Sequence, residues 1–379
     1  NGIYSAGYYL YNMFLIMSSA GLPVAISKMV SEKLALGEYT NAKKIFRTSF
    51  FVAGGLGLIC PIAMFLGADA FCKALGSPRS YYCILTLAPT VFIVSVMAVF
   101  RGYFQGFNST VPTAISQIVE QILNAVFSVY LAWILVKTSV ELGAAGGTAG
   151  TGIGALAGLV TLVVIFFTSR KGRMELFAED KKDYRVQTSR EITSNLFKIA
   201  IPVITGTAIF SMTNLIDMVM VNSRLAAIGT YTAEEIDALY GQLTGKYVTL
   251  STMPVAISTA LATAVIPSIA GSVVRKEHEL VQAKVDTTLR LTMIISIPAA
   301  IGLGALGPQI LQMLFPNYSD GGMLIRVGSI SVVFLALSQI STGVLQGVGK
   351  VNAPAWNALW GSIAKIPVNY FLIAIPEIN

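Results

Sequence analysis

Leu22-Pro-Val-Ala-Ile-Ser27 returns 231 residues later as Met253-Pro-Val-Ala-Ile-Ser258. Around this pair, Pro61 finds a counterpart at Pro298. Gln105-Gly106 followed by Pro112 recurs as Gln346-Gly347 followed by Pro354. The offsets grow from 231 to 237, 241 and 242, as expected of two copies of one unit that gathered loop insertions. A repeat of this length in an apolar chain predicts two homologous membrane lobes that enclose a cavity. The two Pro-Val-Ala-Ile-Ser segments are expected at equivalent places in the lobes.

Composition sets the class. Hydrophobic residues are 54% and charged residues 12% of the chain, against about 25% charged in soluble domains. The mean hydropathy is +0.70. A hydrocarbon layer of about 30 Å needs roughly 20 apolar residues per helix. Ten such stretches occur, near 3–30, 45–68, 81–102, 113–136, 145–169, 193–222, 244–272, 286–312, 322–345 and 355–376. The expected fold is an all-α polytopic membrane protein with an N-lobe over 1–169, a cytoplasmic linker over 170–192 and a C-lobe over 193–379. Translating the spans by the repeat offset predicts six helices per lobe, with the first and twelfth lying outside this sequence.

The net charge of +7 is a matter of topology. With loops alternating sides, those near 28–47, 101–111, 170–198, 275–290 and 350 hold 19 of the 26 Lys and Arg, and the opposite loops hold five. The positive-inside pattern puts the basic set in the cytoplasm, where it can also meet anionic lipid headgroups. Nucleic acid is not expected as a partner. Cys60, Cys72 and Cys83 lack metal spacing; Cys72 and Cys83 flank one loop and are either a disulfide or inert thiols. His278, among Arg275, Lys276, Glu277 and Glu279, reads as a solvated loop residue.

Local signals add detail. Thr232-Ala-Glu-Glu235 has capping-box spacing and predicts a short helix through Tyr240. The linker, SRKGRMELFAEDKKDYRVQTSRE, has room for a short surface helix. Gly146, Gly150, Gly154 and Gly158 recur every four residues, a ridge that lets a neighbouring helix approach closely.

No Walker pattern, HExxH, GxSxG or Cys/His cluster occurs, so neither a nucleotide, a cofactor nor enzymatic chemistry is expected. What remains are ionisable groups within spans, costly in lipid and functional candidates for that reason. Glu120 lies about 12 Å into its helix from Pro112, within a stripe of Gln117, Glu120, Gln121, Asn124 and Ser128. The repeat-related helix carries Asn357, Gly361, Lys365 and Asn369. A third stripe holds Thr207, Ser211, Asn214 and Asp217. Each has a plainer reading. Arg101 could only snorkel, Glu120 and Lys365 could form a static pair, Asp217 could cap or pair within its lobe, and Arg326 reads as an interface anchor.

Leu215-Ile-Asp217, Ser223-Arg-Leu225, Leu239-Tyr-Gly-Gln-Leu-Thr-Gly245 and Ala260 to Pro267 resemble the stage V sporulation protein B and MurJ-type lipid II flippase branch of the multidrug/oligosaccharidyl-lipid/polysaccharide (MOP) exporter superfamily. Arg101-Gly-Tyr-Phe-Gln-Gly106, Gln117 to Gln121, and Leu345 to Lys350 running to Lys365 share the resemblance. Asn124 stands where the family often has Arg. The resemblance implies two six-helix bundles in a V, alternating access, and transport of an undecaprenyl-diphosphate-linked saccharide across the bacterial cytoplasmic membrane. Arg101, Lys365, Lys28, Gln117, Asn124 and Asn357 become candidates for the diphosphate or headgroup, and Glu120 and Asp217 for coupling or gating. The alternative is a MATE-like exporter that couples Na⁺ or H⁺ to efflux of cationic drugs; a membrane scaffold fits the polar stripes less well.

Overall fold

A computed structural model describes residues 2–74, 80–178, 180, 183–229, 232, 235, 239, 242–316 and 320–373. Among them the ordered elements are all helical. In order they are α1 (Gly2–Ser19), α2 (Leu22–Leu36), α3 (Tyr39–Ala74), α4 (Tyr81–Gly106), α5 (Val111–Leu135), α6 (Val140–Thr168), α7 (Arg170–Ala178) and α8 (Ser189–Ile228). A π-helical turn at Gln242–Val248 then leads into α9 (Thr249–Val274), followed by α10 (His278–Leu314), α11 (Gly322–Gly328), α12 (Ser331–Val348) and α13 (Asn352–Leu372). Nine segments among the described residues are long and apolar enough to cross a membrane. The tenth apolar stretch does form a helix, α13, but Asn352, Asn357, Lys365 and Asn369 make it less apolar than those nine. The expected span at 3–30 is two helices, broken at Ala20-Gly21.

Contacts divide the chain into Asn1–Ile204 and Thr205–Asn379. In the first unit α2, α3, α4 and the start of α8 share a core around Ile26, Ile45, Tyr103, Ile192 and Leu196. Gly21 makes this possible: a Cβ there would stand 2.5 Å from the Ala200 carbonyl oxygen. The linker is anchored to the same unit. Asp180 accepts hydrogen bonds from the Tyr39 N–H (2.9 Å) and the Thr40 hydroxyl (2.5 Å), so it caps α3 from 140 residues away. The surface helix expected in the linker is α7. At its far end Thr188 and Glu191 exchange capping-box bonds that open α8.

The second unit packs α12 against α9 and α10. The later part of α8 lies along α13, with Thr213 and Ser362 hydroxyls 2.5 Å apart and the Arg224 guanidinium 4.0 Å from the Tyr370 ring centre. Thr232 and Glu235 make the expected reciprocal bonds; the helix anticipated through Tyr240 lies largely outside the described residues.

The repeat is visible in how each unit packs internally. In the first, α4 ends on Asn108 in the left-handed region (φ 56°), with the Asn108 N–H bonded to Gln105 O and the Ser109 N–H to Phe104 O. In the second, α12 ends on Gly349 (φ 99°), with its N–H bonded to Gln346 O and the Lys350 N–H to Leu345 O. Both are the Schellman type of helix end. Upstream of each, two glycines let a neighbour come close. Gly102 meets Pro23, and Gly106 meets Ser27 and Val30; Gly343 meets Ala262, and Gly347 meets Ile266 and Ile269.

These contacts correct the register read from the sequence. They pair Pro23 with Ala262, Ser27 with Ile266 and Val30 with Ile269, each 239 apart. The two Pro-Val-Ala-Ile-Ser segments, 231 apart, therefore stand eight residues out of step on equivalent helices. The glycine pair sets the alignment, because backbone approach tolerates no side chain there. Pro and small residues elsewhere on the helix impose no such demand.

Candidate functional site

Arg101 enters from the last turns of α4 and Glu120 from the middle of α5. The Arg101 Nη2 lies 2.6 Å from Glu120 Oε2, with the two side chains 15% and 17% exposed. Ser116, fully buried one turn before Glu120, accepts from Arg101 Nε and Nη2 at 3.3 and 3.2 Å and donates to the Thr113 carbonyl at 2.8 Å. The plain reading of Arg101 as a snorkelling end-of-helix cation is thereby corrected, since its guanidinium turns inward to a carboxylate. Within the first unit, the Glu120 carboxylate takes Arg101 as its partner.

The glycine ridge of α6 holds this pair in place. A Cβ on Gly154 would stand 2.5 Å from the Glu120 carbonyl oxygen, and one on Gly158 would stand 3.3 Å from the Glu120 Cβ. Gly150 lies so close to Ser128 that no side chain fits between them. The ridge serves helix packing. It also divides the expected α5 stripe. Glu120, Asn124 and Ser128 turn toward α6, where the Ser128 hydroxyl lies 2.8 Å from Asn124 Oδ1 and 2.7 Å from the Gly147 carbonyl. Gln117 and Gln121 are exposed.

The other candidates are spread. Lys28 is buried and pairs with Glu32 at 3.4 Å, one turn along α2. Asn357 and Lys365 are exposed on α13, and Arg326 is exposed on α11. Asp217 and Asn214 lie on α8, with side chains outside the described set. Cys60, Cys72 and Cys83 are free thiols. No cluster suited to a metal occurs among the described residues.

Two participants escaped sequence reading. Ser116 precedes Glu120 by four residues and so shares its face, a signal hidden by the polar residues around it. Lys284 looked like a loop cation, yet it sits on α10 and donates to the Ser268 carbonyl (2.9 Å) and the Ser272 hydroxyl (2.8 Å) of α9. At the linker, slight burial raises the Asp180 carboxyl, but hydrogen bonds from Thr40, Tyr184 and the Tyr39 and Thr40 amides outweigh it and hold the group below its ordinary value.

The sequence profile described as "Polysaccharide biosynthesis protein" matches residues 1–273, and the profile described as "MatE" matches 245–371. Stage V sporulation protein B of Bacillus subtilis (strain 168) is 26% identical over 379 residues, covering 100% of this chain and 72% of that protein. Lipid II flippase MurJ of the same organism is 26% identical, covering 99% and 71%. Among solved structures, MATE in complex with MaD3S superposes with a TM-score of 0.81 at 15% identity, over 98% of this chain and 81% of that one. A MOP superfamily transporter from Pyrococcus furiosus Vc1 (DSM3638) gives 0.75 at 17%, over 97% and 80%. Helical content, candidate spans, internal repeat and profile match agree, and the chain belongs to the polysaccharide biosynthesis protein family, among the transporters of the MOP superfamily.

Proposed function

We propose that this chain is a flippase that carries an undecaprenyl-diphosphate-linked saccharide, first of all the peptidoglycan precursor lipid II, across the bacterial cytoplasmic membrane by alternating access. In this reading it performs no covalent chemistry and uses no cofactor, and its basic loops face the cytoplasm. The observation that carries the proposal is the Arg101–Ser116–Glu120 cluster. A guanidinium held by one carboxylate and one hydroxyl, and still partly exposed, can trade Glu120 for a diphosphate, which offers the same charge-assisted bonds. Lys365, Lys28, Gln117, Asn124 and Asn357 are proposed to contact the diphosphate or the saccharide, and Glu120 and Asp217 to gate or couple the cycle.

The rival reading, a Na⁺- or H⁺-coupled exporter of cationic drugs, draws on the MatE match over 245–371. It needs a carboxylate open to a cation, and the Glu120 carboxylate is already neutralised by Arg101.

The test is complementation of a flippase-depleted cell, paired with drug susceptibility. Arg101→Ala and Lys365→Ala should each reduce rescue at least tenfold, while Lys365→Arg retains more because the charge survives. Full rescue by both alanine variants, together with drug sensitivity from Glu120→Gln, would favour the exporter instead.

A further inference from the structure

Two adjoining cavities in the first unit share the side chains of Lys43, Arg47 and Phe51, and they differ in chemistry. One, of about 700 Å³, lies between the starts of α3 and α8 and is lined by hydroxyls and cations, Thr40, Lys44 and Ser189 among them. The other, of about 540 Å³, is an apolar groove walled by Phe46, Phe50, Phe100, Phe166 and Met174, with Arg170 and Arg173 at its edge.

Three cations at the junction, Lys43, Arg47 and Arg170, are exposed and have no carboxylate partner among the described residues. Asp180, a nearby carboxylate, is occupied by Tyr39, Thr40 and Tyr184. Arg173 is different: it bonds the Ser169 hydroxyl and the Phe166 carbonyl and lies over the Phe166 ring, and so shapes the wall. The groove is open on one side, where Phe51 is 67% and Phe167 64% exposed. Its floor is shut by rings, with Phe46 stacked on Phe166 at 5.0 Å and packed on the buried Tyr103 at 4.6 Å.

A basic basin continuous with an aromatic, side-open groove has the two halves of an amphiphile's chemistry. We propose that the pair of cavities holds one anionic phospholipid, its phosphate among Lys43, Arg47 and Arg170 and an acyl chain along the aromatic wall. The closed floor favours a resident lipid over a substrate in transit, since a translocation path must continue beyond its entry. The inference rests on the membrane placement of these helices and not on the transported substrate.

The test uses the full chain purified in detergent, with native mass spectrometry counting dioleoyl-phosphatidylglycerol bound against dioleoyl-phosphatidylcholine. One phosphatidylglycerol should be retained preferentially. Each cation removed should weaken it about fivefold, so the double variant Arg47→Gln/Arg170→Gln should lose about 25-fold and Lys43→Gln about fivefold. Lys276→Gln, on a loop elsewhere, should bind as the parent does. Phe51→Ser should weaken both lipids alike, because it removes wall and not charge. Equal binding of the two lipids by the parent overturns the proposal, as does unchanged phosphatidylglycerol binding in both the double and the Lys43 variants. Displacement of phosphatidylglycerol, one for one, by undecaprenyl diphosphate at lower concentration also overturns it and assigns the basin to a prenyl-linked ligand.

Discussion

Glu120 and Arg101 illustrate how much a single partner decides inside a membrane. Breaking a buried pair by deleting one member leaves the other charged and unsolvated, at a cost of about 3–5 kcal/mol when burial is complete. Here the side chains are 15% and 17% exposed, so the loss should fall toward the low end of that range. Glu120→Ala should thus lower thermal stability in detergent more than Arg101→Ala/Glu120→Ala, which removes both charges. Equal or additive losses in a double-mutant cycle would show that the two groups do not depend on each other. Ser116→Ala tests the third member. Its hydroxyl bonds a charged donor, and its removal should cost about 1.5–3 kcal/mol while leaving the ion pair intact.

At the scale of elements, contact between α5 and α6 depends on the absence of side chains. Gly154→Ala would place a methyl group 2.5 Å from the Glu120 carbonyl oxygen, so the helices must part. The expected loss is about 1–3 kcal/mol. Gly54→Ala in α3, where nothing lies within 4 Å, should instead stabilise by about 0.4–1 kcal/mol. Melting both variants beside the parent decides this. The cap on α3 adds a pH dependence. Asp180 has a lowered folded-state value, so its stabilisation is present above the ordinary carboxylate range and lost as pH falls through the lowered folded value. Between pH 7 and 3 the parent should lose more melting temperature than Asp180→Asn, whose amide oxygen can keep the Tyr39 and Tyr184 bonds but not the Thr40 hydroxyl bond, and which does not titrate. Parallel losses in the two proteins would place the acid sensitivity elsewhere.

At the scale of the molecule, the two units answer to the same rule at α4 and α12. A pair of glycines, then a left-handed residue, then a helix with proline in its first turn appear in both. Gly106→Val and Gly347→Val should therefore do similar damage, each within its own unit, read as loss of folded protein in membranes. If Gly347→Val is tolerated while Gly106→Val is not, the packing equivalence is superficial. Topology gives a second check. In a background without Cys60, Cys72 and Cys83, single cysteines replacing Lys44, Lys171, Lys276 and Lys350 should react with an impermeant thiol reagent only from the cytoplasmic side, and one replacing Lys137 only from outside.

The amino-acid sequence alone determined the membrane class, the approximate places of the long helices though not their ends, the existence of the repeat and the role of the Gly146–Gly158 ridge. These follow from composition and from periodicity along one chain, which local physics dictates. Thr232–Glu235 was legible for the same reason, since its bonds join residues three apart. The partner of Glu120 was not, because Arg101 reaches it from another helix and nothing in the spacing of either names the other. Nor was the cap on α3, supplied by Asp180 from 140 residues beyond Thr40, or the place of Lys284 against α9. The repeat register was misread by eight residues because identical letters are weaker evidence than a backbone contact only glycine permits. That a unit repeats is written in the chain; which of its residues correspond, and which meet, is decided by how closely helices can approach.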